Sequence, residues 1–350
     1  MNPVKVAIVG ASGYSGQELI RLLMRHPYVD LACVTSRQYE GRTIAEVYPR
    51  FARHRFADRK FAPATVEAVV AAGVELAFLA LPHGLAHEFA APLLKAGIRL
   101  IDLSADFRLR DAAVYEEFYK GAHPAPELLA ESVYGIPEVY RKEIAASNLV
   151  ASAGCYPTSI ILPLLPLLRQ KLIDPASIIA SSLSGVSGAG RKADLDLLYC
   201  ECNESARAYG LPKHRHLSEI EQELSLAAGE PVVISFTPHL IPLSRGILST
   251  LYADLADGAA PEAVGAALEE AYGAEPFVRL LGATGSVDIK NVAQTNFIDI
   301  GWRHDPRTGR VILLSAEDNV VKGASGQAVQ SLNLMCGWPE TLALLDEALL

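Results

Sequence analysis

The feature that most constrains this chain lies at its start. An apolar run, Val4–Val9, passes directly into Gly10-Ala11-Ser12-Gly13-Tyr14-Ser15-Gly16, and a helical stretch, Gln17–His26, follows. A turn bare of side chains between a strand and a helix lets the backbone N–H groups of the helix N-terminus meet a pyrophosphate. Glycines alone would say little, because such turns also arise for steric reasons; the strand–turn–helix context gives them weight. The spacing is G-x-x-G-x-x-G, with two residues between the first glycines rather than the usual one.

The neighbouring segments fit the same architecture. Leu31–Thr35, Leu76–Leu81 and Leu100–Leu103 are short apolar runs, and helical His87–Lys95 ends at Gly97. Fully apolar strands alternating with helices predict a parallel, Rossmann-type α/β sheet covered on both faces. From about Ser177 the texture changes. Ile178–Leu183, Val232–Thr237, Ile247–Leu255, Asn296–Arg303 and Arg310–Ala316 read as strands, and Asp305–Gly309 as a polar hairpin turn between the last two. This predicts an α+β domain with a mainly antiparallel mixed sheet. The expected domains are 1–152 plus 326–350, with helical Gly326–Cys336 returning to the first, and 153–325.

A cofactor preference is written at the end of the second strand. An NAD site places an Asp or Glu there for the ribose 2′-hydroxyl. Here stands Thr35-Ser36-Arg37-Gln38. A hydroxyl followed by a guanidinium suits a 2′-phosphate, which a carboxylate would repel. NADP is therefore favoured over NAD.

Ala151-Ser152-Ala153-Gly154-Cys155-Tyr156-Pro157-Thr158 carries the chemistry. Pro157 suits the first turn of a helix, where its missing N–H costs nothing. Ile160–Leu168 continues that helix, which Pro163 and Pro166 are expected to bend or interrupt. Cys155 then sits where the helix dipole favours thiolate over thiol. A buried structural thiol fits Cys33 and Cys336 better than Cys155. The basic cluster Lys213-His214-Arg215-His216 offers an imidazole partner, and the carboxylates of Glu219 and Glu221 could orient it. His83 and His239 are weaker candidates. Cys200 and Cys202 lack a second ligand pair at metal-finger spacing and read as structural, so no metal is expected. Arg108, Arg191 and Arg245 each close a polar or Gly/Ser-rich stretch at a strand end, where a guanidinium can grip carboxylate or phosphate.

Composition narrows the class of partner. With 350 residues and a net charge of −9, the chain has no overall electrostatic footprint for nucleic acid. No apolar run approaches the roughly 18–20 residues of a membrane span. The first residues read as a strand rather than a signal peptide. Five cysteines in a chain this long do not suggest a disulfide framework, and the cytoplasm is the expected compartment.

Taken together, Gly10–Gly16, Thr35–Arg37, Leu81–Gly84, Asp102–Leu109, Tyr134–Glu138, Gly154–Thr158, Ser184–Arg191, His214–His216 and Lys322–Gln330 resemble the N-acetyl-gamma-glutamyl-phosphate reductase family over essentially the whole chain. The resemblance implies NADPH-dependent reduction of N-acetyl-L-glutamyl 5-phosphate, a small-molecule acyl phosphate, to the 5-semialdehyde with release of phosphate, in arginine biosynthesis. It implies Cys155 as nucleophile, with His214 and His216 for acid–base work beside Glu219. The implied cofactor residues are Gly10, Ser12, Gly13, Tyr14, Ser15, Gly16, Ser36, Arg37, Gln38, Pro82, Gly188, Asn319 and Gly323, with Lys322–Gln330 closing over the nicotinamide end. The implied substrate residues are Arg108, Ser184, Arg191, Tyr209 and Arg245, and a homodimer or homotetramer is expected. A more distant resemblance, to aspartate-semialdehyde dehydrogenase, nominates Arg108 for phosphate. That family carries its catalytic His where this chain has Ile247, which throws the role onto His214 or His216. A reductase acting on a carrier-linked aminoadipyl or glutamyl phosphate would share these motifs, and a non-catalytic NADP sensor would keep the fold.

Overall fold

The computed structural model describes residues 3–345; Met1, Asn2 and 346–350, which fall within the expected first domain, lie outside the described residues. The chain divides into two compact units. Residues up to Glu116, Gly121–Ala153 and those from Ala324 on form the first, and Glu117–Lys120 with Gly154–Gly323 form the second.

The first unit is built on β1 (Val4–Val9), β2 (Val29–Thr35), β3 (Phe61–Ala62), β4 (Leu76–Leu79), β5 (Arg99–Asp102), β6 (Val133–Gly135) and β7 (Leu149–Ser152). They form one sheet in the order β3-β2-β1-β4-β5-β7-β6, parallel throughout. Between them run α1 (Tyr14–Leu23), α2 (Ile44–Val47), α3 (Val66–Ala71), α4 (His87–Lys95), α5 (Ala112–Tyr119, whose last residues count with the second unit) and α6 (Pro137–Ala146). Alternation along β1 sends Val6 and Ile8 to one face and Ala7 and Val9 to the other, and each face has its own buried cluster. The chain order reverses between β1 and β4, so the Gly10–Gly16 turn opens at the switch point where such sheets take ligands.

The second unit begins with α7 (Cys155–Arg169) and continues through β8 (Ile179–Gly185), α8 (Tyr199–Cys202), β9 (Arg207–Ala208), α9 (Leu217–Ala228), β10 (Ser235–Ile241) and β11 (Ile247–Asp254). Then come α10 (Pro261–Tyr272), β12 (Val278–Gly282), β13 (Ile298–Asp305) and β14 (Arg310–Glu317). The sheet order is β12-β13-β14-β11-β8-β10-β9, with antiparallel pairing except at β12/β13 and β8/β10. A π-helical turn, Val321–Ser325, leads into α11 (Gly326–Met335), whose Ala328, Val329, Leu332 and Met335 complete a core cluster of the first unit.

Two expectations need correction. Pro163 and Pro166 do not interrupt α7, which runs unbroken and is buried from Tyr156 to Leu168. Each proline leaves the carbonyl four residues earlier without its helical donor. Those carbonyls are capped from outside: Ser315 Oγ donates to Ser159 O at 2.6 Å, and Tyr272 Oη donates to Leu162 O at 2.8 Å. The expected strand Val232–Thr237 instead starts at Ser235 and extends to Ile241. Side chains of α9 claim the backbone before it, since Val232 N donates to Ser225 Oγ and Ile234 N to Glu221 Oε1.

Candidate active site

In the first unit the glycine turn is shaped for close backbone approach. Gly10 has φ +84°, and a Cβ there would lie 2.4 Å from Ala80 O; a Cβ on Gly16 would lie 2.6 Å from Ala11 Cα. Gly13, the N-cap of α1, meets only Gly10 O at 3.9 Å. No side chain caps this helix and no acid sits in its first turn, so its N–H groups and positive dipole end suit an anion. Ser36 follows β2 and donates its hydroxyl to Ser12 Oγ at 3.1 Å, while Arg37 and Gln38 are exposed. The turn offers a backbone cradle and a helix dipole, and the exposed Arg37 beyond β2 a cation, a set whose chemistry suits a 2′-phosphorylated dinucleotide. Tyr14 is exposed and Ser15 half-buried at the opening of α1, and Pro82 is exposed in the loop after β4.

That loop is held by a buried carboxylate network. Asp106 accepts from Gly84 N at 2.6 Å and Ala86 N at 2.9 Å, and Asp102 accepts from both the N–H and the hydroxyl of Ser104. Burial and the neighbouring Asp106 push Asp102 up to about 7. Arg108 is buried in the loop after β5, which also carries Asp106, and donates to Leu103 O at 3.0 Å.

In the second unit Cys155 is the first residue of α7, half-buried, with Gly154 as N-cap and no acid in the first turn. Helix geometry leaves the N–H groups of Cys155 and Tyr156 without intrahelical acceptors, and Pro157 has none to offer. Glu219, buried near the start of α9, accepts from Gly154 N at 3.1 Å, and its other oxygen lies 3.9 Å from His216 Nε2. One carboxylate therefore holds both the residue before the thiol and the candidate base.

The histidines are unequal. His214 Nδ1 accepts from His216 N at 3.1 Å, which places the proton of the neutral ring on Nε2. Its ring is packed edge-on against Tyr156, Tyr209, His216 and Phe236. Burial, helped by Arg215, lowers its pKa to about 4. His214 is a fixed neutral donor. Tyr156 and Tyr209 share a hydroxyl hydrogen bond of 2.8 Å, and burial pushes Tyr209 up to about 12 and Tyr156 further still. Both phenols interact electrostatically with Cys155 and stay neutral donors.

A second group adjoins this one through Ser184, which is buried and hydrogen-bonded to Tyr156. Asn319 accepts from Gly246 N at 2.7 Å and donates to Ser187 Oγ at 3.0 Å, and a Cβ on Gly188 would come within 3.3 Å of its amide. Arg245 pairs at 3.4 Å with the fully buried Asp318. A Cβ on Gly323 would lie 2.7 Å from both Cys155 Cβ and Glu317 Oε1. Arg191 stands on the exposed loop after Gly190. Lys322 is buried with its ammonium 5.8 Å over the Phe277 ring, and Gln330 donates to Glu138 and Glu340, tying α11 to α6. Cys202 Sγ donates to Asp196 O at 3.1 Å, and Cys200 is exposed.

Sequence reasoning assigned no role to Tyr156, Phe236 or Glu317. Tyr156 stood in the quoted motif. Glu317 offered only one signal, a charge ending an apolar strand.

Comparison with known proteins places this geometry. The family model for the semialdehyde dehydrogenase NAD-binding domain matches residues 5–147, and that for the semialdehyde dehydrogenase dimerisation domain matches 155–319. N-acetyl-gamma-glutamyl-phosphate reductase of Akkermansia muciniphila is 62% identical over 344 residues, covering 98% of this chain and 99% of that protein. The chain belongs to the N-acetyl-gamma-glutamyl-phosphate reductase family. The reductase of Geobacter sulfurreducens is 52% identical over 348 residues, 99% of each chain. Among solved structures, aspartate semialdehyde dehydrogenase II of Vibrio cholerae, complexed with ASA, aligns with TM-score 0.71 at 18% identity, covering 96% of this chain and 99% of that one. The Candida albicans enzyme with NADP aligns with TM-score 0.72 at 14% identity, covering 95% and 98%. These two establish the fold alone. The reductase fold thus joins a Rossmann-type unit to a mixed-sheet unit. No helix among the described residues is long and apolar enough to cross a membrane.

Proposed function

We propose that this chain reduces N-acetyl-L-glutamyl 5-phosphate to N-acetyl-L-glutamate 5-semialdehyde with NADPH, releasing phosphate, with Cys155 as its nucleophile. The observation that carries the residue assignment is the placing of Cys155 at an acid-free helix N-terminus, with Glu219 linking Gly154 to His216.

The Cys155 thiolate attacks the acyl carbon; the new C–S bond forms as the C–O bond to phosphate breaks, and inorganic phosphate leaves with the electron pair. The N–H groups of Cys155 and Tyr156 stabilise the oxyanion. Gly10–Gly16 would hold NADPH, with Ser36 and Arg37 toward its 2′-phosphate, and the bound cofactor would supply the hydride for reduction of the thioester. His216 moves the proton as the resulting hemithioacetal collapses to aldehyde and the C–S bond breaks. His214 cannot take that role, because its depressed pKa and its bond from His216 N keep it a neutral donor. Arg245, oriented by Asp318, and Ser184 and Tyr209 bind the substrate's polar groups.

The first unit serves as the cofactor domain and the second as the catalytic and self-association domain. The sheet of the second unit buries one face, while Ile179, Leu183, Leu248, Tyr252, Ile312 and Leu314 lie partly open on the other. A second copy covers that face, giving a homodimer or a homotetramer. The working compartment is the cytoplasm, where a nucleophilic thiol stays reduced.

The test is Cys155→Ser assayed with the semialdehyde, phosphate and NADP⁺. Turnover should fall at least about 10³-fold while NADP⁺ binding stays within twofold, a loss typical of removing a covalent nucleophile. Near-normal turnover would refute the assignment.

A further inference from the structure

The chain between β2 and β3 is electrically unlike the rest. Residues 37–60 hold seven Arg or Lys against three Asp or Glu, a local charge of +4 in a chain of −9. Three of these cations are engaged by oxygen atoms, and Arg50 lies 5.2 Å over the Phe51 ring. Arg55 donates to the carbonyls of Leu23, His26 and Val29, Arg59 pairs with Asp30 at 3.2 Å, and Arg42 donates to Glu46 O. Arg37, Arg50, Arg53 and Lys60 are exposed.

The segment is fastened to the glycine turn at two points. Ser36 donates to Ser12 Oγ at 3.1 Å, and Tyr48 Oη donates to Ala11 O at 3.2 Å. Arg50 follows two residues after Tyr48, so that cation is carried on backbone pinned to the turn that receives the phosphates, and Arg53 and Lys60 stand further along the same segment. Stability does not explain them, because exposed cations contribute little to it.

We infer that Arg50, Arg53 and Lys60 form an electropositive approach that steers the 2′-phosphorylated dinucleotide to the Gly10–Gly16 turn, acting on the rate of capture rather than on the bound state. This rests on the cofactor reading above. An acidic protein would otherwise repel a polyanionic cofactor, and a local field of the right sign raises encounter rates by about 10–10³-fold.

The test is the triple variant R50E/R53E/K60E, with NADPH binding followed by stopped-flow fluorescence. At about 10 mM salt, where charges act over about 30 Å, its association rate should fall about tenfold. The dissociation rate, and kcat at saturating NADPH, should stay unchanged. At about 1 M salt, where the range is about 3 Å, the difference should shrink below about twofold. NADH, lacking the 2′-phosphate, should lose less. A matched triple in the second unit, K171E/K290E/R307E, controls for net charge and should leave the association rate within about twofold. An unchanged association rate, a salt-independent change, an equal effect on NADH or an altered dissociation rate overturns the inference. The parent chain run alongside separates the two readings: failure to bind NADPH at all rejects the cofactor assignment instead.

Discussion

Two hydroxyls allow a proline-bearing helix to carry the nucleophile, and their removal has a calculable cost. Ser315→Ala strips the donor from Ser159 O, and Tyr272→Phe strips it from Leu162 O, each on a fully buried turn of α7. A buried carbonyl left without a partner costs about 1–3 kcal/mol. For a unit of this size that lowers the melting temperature by about 2–12 °C per substitution. The decisive experiment is a double-mutant cycle with Pro163→Ala, which restores an N–H able to reach Ser159 O. In that background Ser315→Ala should cost less by about 1 kcal/mol or more. Trp302, of the second unit, reports urea unfolding once Trp338 of the first is changed to Phe. Equal cost of Ser315→Ala in both backgrounds, to within about 0.5 kcal/mol, would refute the capping argument.

Further outcomes follow from the site. Arg37→Asp should weaken NADPH by at least about tenfold, the cost of exchanging an attractive for a repulsive partner of the 2′-phosphate, while NADH changes little; titration of both cofactors checks this. His214, depressed to about 4 in the folded chain, is protonated below about 6.5 when unfolded. The folded state therefore loses stability as pH falls from about 6.5 to about 4, and His214→Gln should remove about one proton from that slope, read from urea midpoints against pH. His216→Gln should instead cut kcat by about 10²–10⁴-fold with modest effect on KM, the span of a lost acid–base group. Gly323→Ala forces a Cβ against Cys155 and should slow thiol alkylation and turnover together; an iodoacetamide time course beside steady-state kinetics reads both.

Local chemistry was the legible part of this chain. The β1–glycine–α1 sequence and the placing of Cys155 at a helix start depend on residues within a few positions of each other. The parallel and mixed sheets followed from strand texture in the same way. What the sequence hid was settled by distant partners. The donors that satisfy the carbonyls opposite Pro163 and Pro166 lie about a hundred residues or more along the chain, so the local rule for proline holds while the interruption it allows does not occur. Val232 and Ile234 look like a strand, but their N–H groups are taken by α9. The inequality of His214 and His216 is a matter of burial and tautomer, which spacing does not encode.

The return of α11 bears on how the protein is made. Ribosomal synthesis lets N-terminal domains fold first, yet the core of the first unit lacks Ala328, Val329, Leu332 and Met335 until almost the whole chain has emerged. The second unit, nearly continuous from Gly154 to Gly323, is finished before the unit that precedes it. Nascent chains must therefore wait with part of an apolar sheet face open. A premature stop anywhere before α11 leaves that part permanently uncovered, a substrate for chaperones and proteases rather than a shortened enzyme.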